Sequence, residues 1–318
     1  IGTHSLLNSS ILFKKLGLCI IDEQHKFGIN QRSSLVKNRD PSDMSPHIIY
    51  MSATPIPRSL ALVLYQGLDY TTIKDMPKGR KHVITERIDP NSRSVMYSKI
   101  EEHLIEGKQI FWVCPVINIS ESSELESIYS ANEAVSKIFK DYSIAVLHGQ
   151  LEDKVQADTV KKFRDGKINI LVCTTMIEVG VDVPNATCIV IEDSNRFGLS
   201  QLHQLRGRVG RSSYQGHCFL AHKEQLNENS VIRLNSLVTH SSGFKVAEED
   251  LLIRGSGDYF GSRQSGHLSN FKLATLQDFI INVDIIKNLQ DRISSLSDIT
   301  RAQLLKRWRN EEEESLKL

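Results

Sequence analysis

Short, continuous apolar runs separated by amphipathic segments constrain this chain more than any other feature. LGLCIID (16–22), HIIYMSA (47–53), QIFWVCPV (109–116), IAVLHG (144–149), INILVCTT (168–175), ATCIVIED (186–193) and GHCFLAH (216–222) each have the length and residue types of a strand. ESIYSANEAVSKIFKDY (126–142) and EDKVQADTVKKFRDG (152–166) lie between some of them and read as helices. Apolar strands joined by crossover helices predict parallel sheets covered on both faces. The fold class is therefore α/β.

The 318 residues suggest two domains or slightly more. The stretch DMPKGRKHVITERIDPNSRS (75–94) breaks the rhythm with Pro, Gly and charge, and reads as a linker between two α/β units. Beyond residue 223 the pattern turns helical over 226–253 and 272–292, around RGSGDYFGSRQSGH (254–267), whose four glycines bar a regular helix. The expected layout is 1–85, 86–225 and a helical extension, 226–318. The acidic run near the C-terminus reads as a solvated face.

Lys plus Arg, 39, nearly balance Asp plus Glu, 38, so any nucleic-acid surface must be local rather than a property of net charge. Five cysteines without a CxxC pair fit packed, reduced thiols, which points to a cytoplasmic protein rather than a disulfide or zinc framework. No apolar run approaches the roughly 18 residues needed to span a bilayer, so no membrane partner is expected.

Chemistry-bearing residues gather where the predicted strands end. The first run finishes in Asp22, Glu23, Gln24 and His25. Carboxylates at such an edge can hold Mg²⁺ and orient a water. Ser52 and Thr54 follow the second run, with Pro55 and Pro57 stiffening the exit. A later strand ends in Thr174 and Thr175, with Gly180 and Asp182 soon after. Hydroxyls and amides there suit phosphate oxygens of a nucleotide or of a nucleic-acid backbone. In RFGLSQLHQLRGRVGR, Gln204, Arg208 and Arg211 have the spacing QxxGRxxR, which on a helix would share one face. Paired guanidiniums suit a polyphosphate. Each stretch alone is also compatible with an ordinary strand-end loop or a solvated basic helix.

In that order across two α/β units, these stretches resemble superfamily 2 helicases. DEQHKFGINQR, SATPIPRSLAL, RFGLSQLHQLRGRVGR and DLLIRGSGDYFGSRQSG are similar to the RecG family of bacterial ATP-dependent DNA helicases. The resemblance covers essentially the whole chain. It implies RecA-like P-loop NTPase sheets, the rear of a first motor lobe plus a complete second one. The implied activity is ATP-dependent double-stranded DNA translocation that remodels stalled forks and Holliday junctions, in a monomer, with single-stranded DNA-binding protein as a candidate partner. It implies that Asp22 holds the Mg²⁺ of ATP and Glu23 positions the attacking water. Gln24, His25, Ser52 and Thr54 would couple nucleotide to DNA, with His25 also near the nucleotide. Thr174 and Thr175, with Gly2, Thr3 and His4, would touch DNA. Gly180 and Asp182 would lie near the nucleotide, and Gln204, Arg208 and Arg211 would reach the γ-phosphate. Arg254, Arg263 and Gln264 would belong to a translocation loop.

One departure matters. No G-x-x-x-x-G-K-[ST] loop for the β- and γ-phosphates occurs in the chain. The family places it, and a junction-binding wedge domain, ahead of the DEQH strand. The expectation is therefore the C-terminal part of such a helicase, inactive by itself. Two alternatives remain at this point: a transcription-repair coupling factor, which shares several motifs, and a non-catalytic nucleic-acid-binding module.

Overall fold

The computed structural model describes residues 1–7, 11, 13–23, 46–52, 71–73, 75, 77, 79–115, 121–175, 182–211, 213–223, 225–254, 285, 292, 293 and 295–308. It separates into two compact units, Ile1–Pro55 and Ile56–Leu318.

In the first unit, β1 (Leu18–Ile21) and β2 (His47–Tyr50) pair in parallel, Ile21 opposite Tyr50. The Met51 amide donates to the Ile21 carbonyl at 2.8 Å, so both strands leave the pair at the same edge.

The second unit contains a six-stranded, wholly parallel sheet. Its strands are β3 (Ile84–Ile88), β4 (Gln109–Val113), β5 (Ile144–Leu147), β6 (Ile170–Cys173), β7 (Ala186–Ile191) and β8 (His217–Ala221), in the order β3-β8-β7-β4-β6-β5. Strand side chains alternate between two buried clusters, as the two-residue period requires. Phe111, Leu171, Ile189 and Leu220 point to one, and Ile110, Ile170, Cys188 and Phe219 to the other. Full burial of β4, β6 and β7 explains their unbroken apolar sequences.

Helices α1 (Arg93–Ile105) and α2 (Glu121–Ile138) cover one face through Met96, Ile100, Leu104, Ile128 and Val135. The other face is covered by α3 (Asp153–Arg164), α4 (Leu199–Arg206), α5 (Glu228–Thr239) and α6 (Gly243–Arg254), through Phe163, Leu202, Leu205, Leu234, Leu237 and Val246. A further helix, α7, spans Asp298–Trp308. None of the described helices is long and apolar enough to cross a membrane.

One sequence expectation is corrected. The proposed linker 75–94 contains β3, a 3₁₀ turn Pro90–Ser92 and the start of α1. ITERI looks like linker because β3 lies at a sheet edge, where Ile84 and Arg87 are exposed and only Thr85 and Ile88 are buried. The helical stretch 226–253 is two helices, α5 and α6, broken at His240, whose backbone is extended. The predicted helix 272–292 lies almost wholly outside the described residues. Of the five cysteines none is paired; Cys114, Cys173, Cys188 and Cys218 are buried and Cys19 is half-buried, which fits the expected packed thiols.

Candidate functional site

In the first unit the parallel register delivers Asp22–Glu23 and Met51–Ser52 to one strand edge. Glu23 adopts a left-handed backbone with φ of 49°, unusual for a side chain with a Cβ, and its N–H donates to Asp22 Oδ1 at 2.8 Å. That bond offsets part of the conformational cost and fixes a sharp exit from β1. Asp22 is exposed. An open carboxylate suits Mg²⁺, which keeps several waters and takes one or two protein carboxylates besides phosphate oxygens. Among the described residues no group of three or more His, Cys, Asp and Glu side chains could hold a metal ion. Gln24, His25 and Thr54 lie outside the described residues. Gly2 and Thr3 are exposed and lead into a 3₁₀ turn, His4–Leu7. A Cβ at Gly2 would meet the Leu6 side chain at 2.7 Å.

In the second unit Thr174 and Thr175 follow β6, at the carboxyl edge of the sheet. Thr174 is buried, its amide donating to the Leu147 carbonyl at 3.3 Å; Thr175 is half-buried. Gly180 lies outside the described residues, whereas Asp182 is described and exposed.

The expectation that Gln204, Arg208 and Arg211 share one helix face does not hold. Helix α4 ends at Arg206, with Gly207 as its C-cap. Arg208 then bonds back to the Leu205 carbonyl at 2.9 Å, and Val209, fully buried, enters the core. Gly210 turns the chain at φ of 68°, a conformation that favours glycine. The two arginines therefore flank a turn pegged by Val209. The pair Gly207 and Gly210, poor for a helix, was the available signal.

Arg211 donates through Nη1 to Asp182 Oδ1 at 2.9 Å and through Nε to the Gly207 carbonyl at 3.2 Å. The structure thus brings together Asp182 and Arg211, 29 residues apart in sequence. Arg208 is half-buried, as is Gln204. Arg254 closes α6. Arg263 and Gln264 lie outside the described residues.

The sequence reading passed over a third arginine. Arg206 is buried and donates to the carbonyls of Leu237 (2.9 Å), His240 (2.8 Å) and Ser241 (3.1 Å). Its position on the Leu199/Leu202 stripe, where an apolar residue belongs, could have betrayed it. Burial pushes its pKa down. His203, one turn earlier, is pushed down to about 4, by burial first and by the Arg206 charge second.

Away from these residues, the carboxyl edge near β3 and β7 carries a two-bond ion pair, Arg93 to Glu192 at 2.9 and 2.7 Å. At the opposite edge a cleft of about 280 Å³ opens beside His103, Lys108, Tyr214 and His217. None of the predicted site residues lines it.

Residues 95–213 match the helicase conserved C-terminal domain. The ATP-dependent DNA helicase RecG of Aquifex aeolicus is 45% identical over 280 residues, which is 87% of this chain and 35% of the relative. RecG of Escherichia coli K12 is 38% identical over 314 residues, 98% of this chain and 45% of the relative. The chain thus spans between a third and a half of the curated relatives it matches. A solved structure of RecG bound to a three-way DNA junction is 39% identical, with a TM-score of 0.65, over 90% of this chain and 35% of that one. The Mycobacterium smegmatis helicase Lhr, at 16% identity and a TM-score of 0.50 over 70% of this chain, shares the fold. The architecture is the RecA-like one of superfamily 2 helicases.

Proposed function

For a chain homologous to RecG helicases along 86–98% of its length, we propose the function of a motor segment in an ATP-dependent DNA helicase. The proposed work is translocation on double-stranded DNA, remodelling stalled forks and branch-migrating Holliday junctions in the cytoplasm, as a monomer. Branched DNA is the proposed partner because the relative at 39% identity is bound to a three-way junction. Single-stranded DNA-binding protein is a second candidate partner.

The meeting of Asp182 with Arg211 carries this reading: residues assigned from two separate motifs share one ion pair, between the segments that lead into β7 and β8. Asp22 is the proposed Mg²⁺ ligand, and the ion when bound supplies charge neutralisation for the ATP phosphates. Glu23 positions the attacking water. Gln24, His25, Ser52 and Thr54 link that site to DNA. Thr174 and Thr175, with Gly2, Thr3 and His4, touch the DNA backbone. Gly180 and Asp182 lie near the nucleotide, and Arg208 and Arg211, with Gln204 beside them, meet the γ-phosphate, where guanidiniums stabilise charge that develops during transfer. Arg254, Arg263 and Gln264 belong to a transmission loop.

Because the sequence holds no G-x-x-x-x-G-K-[ST] loop, the 318 residues alone should not turn over ATP. The test compares this chain with a protein extended to include such a loop, measuring DNA-stimulated hydrolysis and migration of a synthetic junction. Both activities are expected only in the extended protein, and both should vanish in its Glu23→Gln variant. Turnover by the purified chain that survives Glu23→Gln overturns the assignment. So does an extended protein that hydrolyses ATP but moves no junction.

A further inference from the structure

Arg80 stands just ahead of β3 and reaches across 130 residues of sequence to the turn that ends in Arg211. Its Nε donates to the Gly210 carbonyl at 2.9 Å. Arg80 is half-buried, and its own amide donates to the Pro77 carbonyl at 3.2 Å, so a local turn sets the direction of its stem. None of the sequence motifs included it.

The acceptor lies one peptide plane from Arg211. The Gly210 carbonyl and the Arg211 N–H belong to the same planar unit. A donor on that oxygen therefore restrains ψ of Gly210 and φ of Arg211 together. Glycine at φ of 68° gives the turn its shape but little stiffness, because glycine has the widest backbone freedom of any residue. The stiffness has to come from outside the turn, and the entry to β3 supplies it. Val83 packs where a Cβ on Gly210 would lie, 2.8 Å from that position. Gln215 Nε2 donates to the His82 carbonyl at 2.6 Å, and the Ile84 amide donates to the Gly216 carbonyl at 2.9 Å. By contrast, Asp182 and the Gly207 carbonyl hold the Arg211 side chain, not the peptide ahead of it.

We propose that Arg80 is a positioning residue for Arg211: it fixes the peptide from which that arginine projects. The restraint stands on the hydrogen bond itself. Its consequence for hydrolysis rests on the proposed contact of Arg211 with the γ-phosphate.

Three substitutions separate geometry from charge. Arg80→Met keeps the stem and loses the donor. Arg80→Lys keeps the charge but carries its nitrogen one bond farther out. Arg80→Gln is neutral, yet its Nε2 is the same number of bonds from the backbone as the arginine Nε and can donate there. In this chain, amide exchange over residues 207–211 should quicken by ~10-fold or more in Arg80→Met, and much less in Arg80→Gln, while β4, β6 and β7 keep wild-type protection. No change at 207–211, or uniform acceleration through the sheet, overturns the restraint.

In the protein extended through a phosphate-binding loop, the probe is ADP with aluminium fluoride, which mimics the phosphate in transfer. Arg80→Met should bind it ~10-fold or more weaker than wild type, with affinity for ADP alone within ~3-fold. Arg80→Gln should recover most of the loss, and Arg80→Lys should not. Recovery by lysine and not by glutamine overturns the positioning role in favour of a charge effect. In an Arg211→Ala background, Arg80→Met should weaken the mimic by less than ~2-fold more. A further full ~10-fold loss there shows that Arg80 does not act through Arg211 and overturns the proposal. If Arg211→Ala itself leaves affinity for the mimic unchanged, the finger reading fails instead, and the exchange experiment still decides the restraint.

Discussion

Arg211 sits in an ion pair it would have to leave in order to meet a phosphate. Its side chain is 31% exposed and that of Asp182 62% exposed. Pairs this wet are worth ~0–1 kcal/mol, because water screens the attraction and two side chains lose freedom. An arginine finger contributes roughly 10³ to 10⁵ in rate, or about 4 to 7 kcal/mol of barrier. Release from Asp182 is therefore cheap compared with what a guanidinium in the proposed finger role would contribute to the transition state. Arg211→Ala in the extended protein should cut DNA-stimulated hydrolysis by orders of magnitude, with far smaller losses in ATP and DNA binding. Asp182→Asn should raise hydrolysis by no more than about fivefold, the equivalent of ~1 kcal/mol, if Asp182 only holds the arginine aside. A steep fall in Asp182→Asn would instead give that carboxylate a contact of its own with nucleotide. Steady-state ATPase assays at saturating DNA and one fixed salt concentration distinguish these outcomes. If Arg211→Ala remains within about threefold of wild type, or ~0.7 kcal/mol, the finger assignment is refuted.

Two further expectations concern stability. His203 is held down to about 4, so it is neutral in the fold while the unfolded chain takes up a proton near the ordinary value of 6.5. Its contribution is fully present above that value and lost as pH falls toward 4, up to about 3 kcal/mol in all. His103 and His217, lowered chiefly by burial, act in the same direction. Urea midpoints at pH 7.5 and 4.5 should converge in His203→Gln relative to wild type; an identical pH dependence in the two proteins refutes this. Gly210→Ala should cost ~1–2 kcal/mol for the left-handed backbone alone, and its Cβ would lie 2.8 Å from Val83 Cγ2. Adding Val83→Ala should recover the steric part and leave the backbone part, which thermal unfolding of the single and double variants can separate.

What the sequence made legible follows burial. Strands such as QIFWV and ATCIVI, covered on both faces, carry an unbroken apolar signal that punctuation by loops only sharpens. β3 carries little signal, because an edge strand with one neighbour needs few apolar residues and ITERI has only Thr85 and Ile88 buried. The strand-end positions of Asp22 and Thr174 were legible because each follows directly on an apolar run, whereas Asp182 stands four residues ahead of β7 and meets Arg211 only in the fold. Side-chain roles within a motif were harder. In LRGRVGR the three arginines look alike, yet Arg206 is an internal tie, Arg208 is half-buried and Arg211 is paired with Asp182. Which is which depends on where α4 stops, and the capping glycine decides that only once Val209 has found the core. The pairing of Arg206 with backbone carbonyls leaves no complementary residue type for a sequence reader to notice.

The order of strands in the larger sheet has a bearing on how the chain is made. β3, the first of its strands to leave the ribosome, pairs with β8, the last, and with no other described strand. About 130 residues separate Ile88 from His217, and at translation rates of ~5–20 residues per second that interval lasts roughly 6 to 26 s. For that time ITERI has no native partner, and a continuous β-prone stretch waiting unpaired invites pairing with another chain. Glu86 and Arg87, which disguised the strand from the sequence reader, place a charge of each sign on it during the wait. The polarity that made β3 look like linker also opposes edge-to-edge pairing with another chain before β8 arrives.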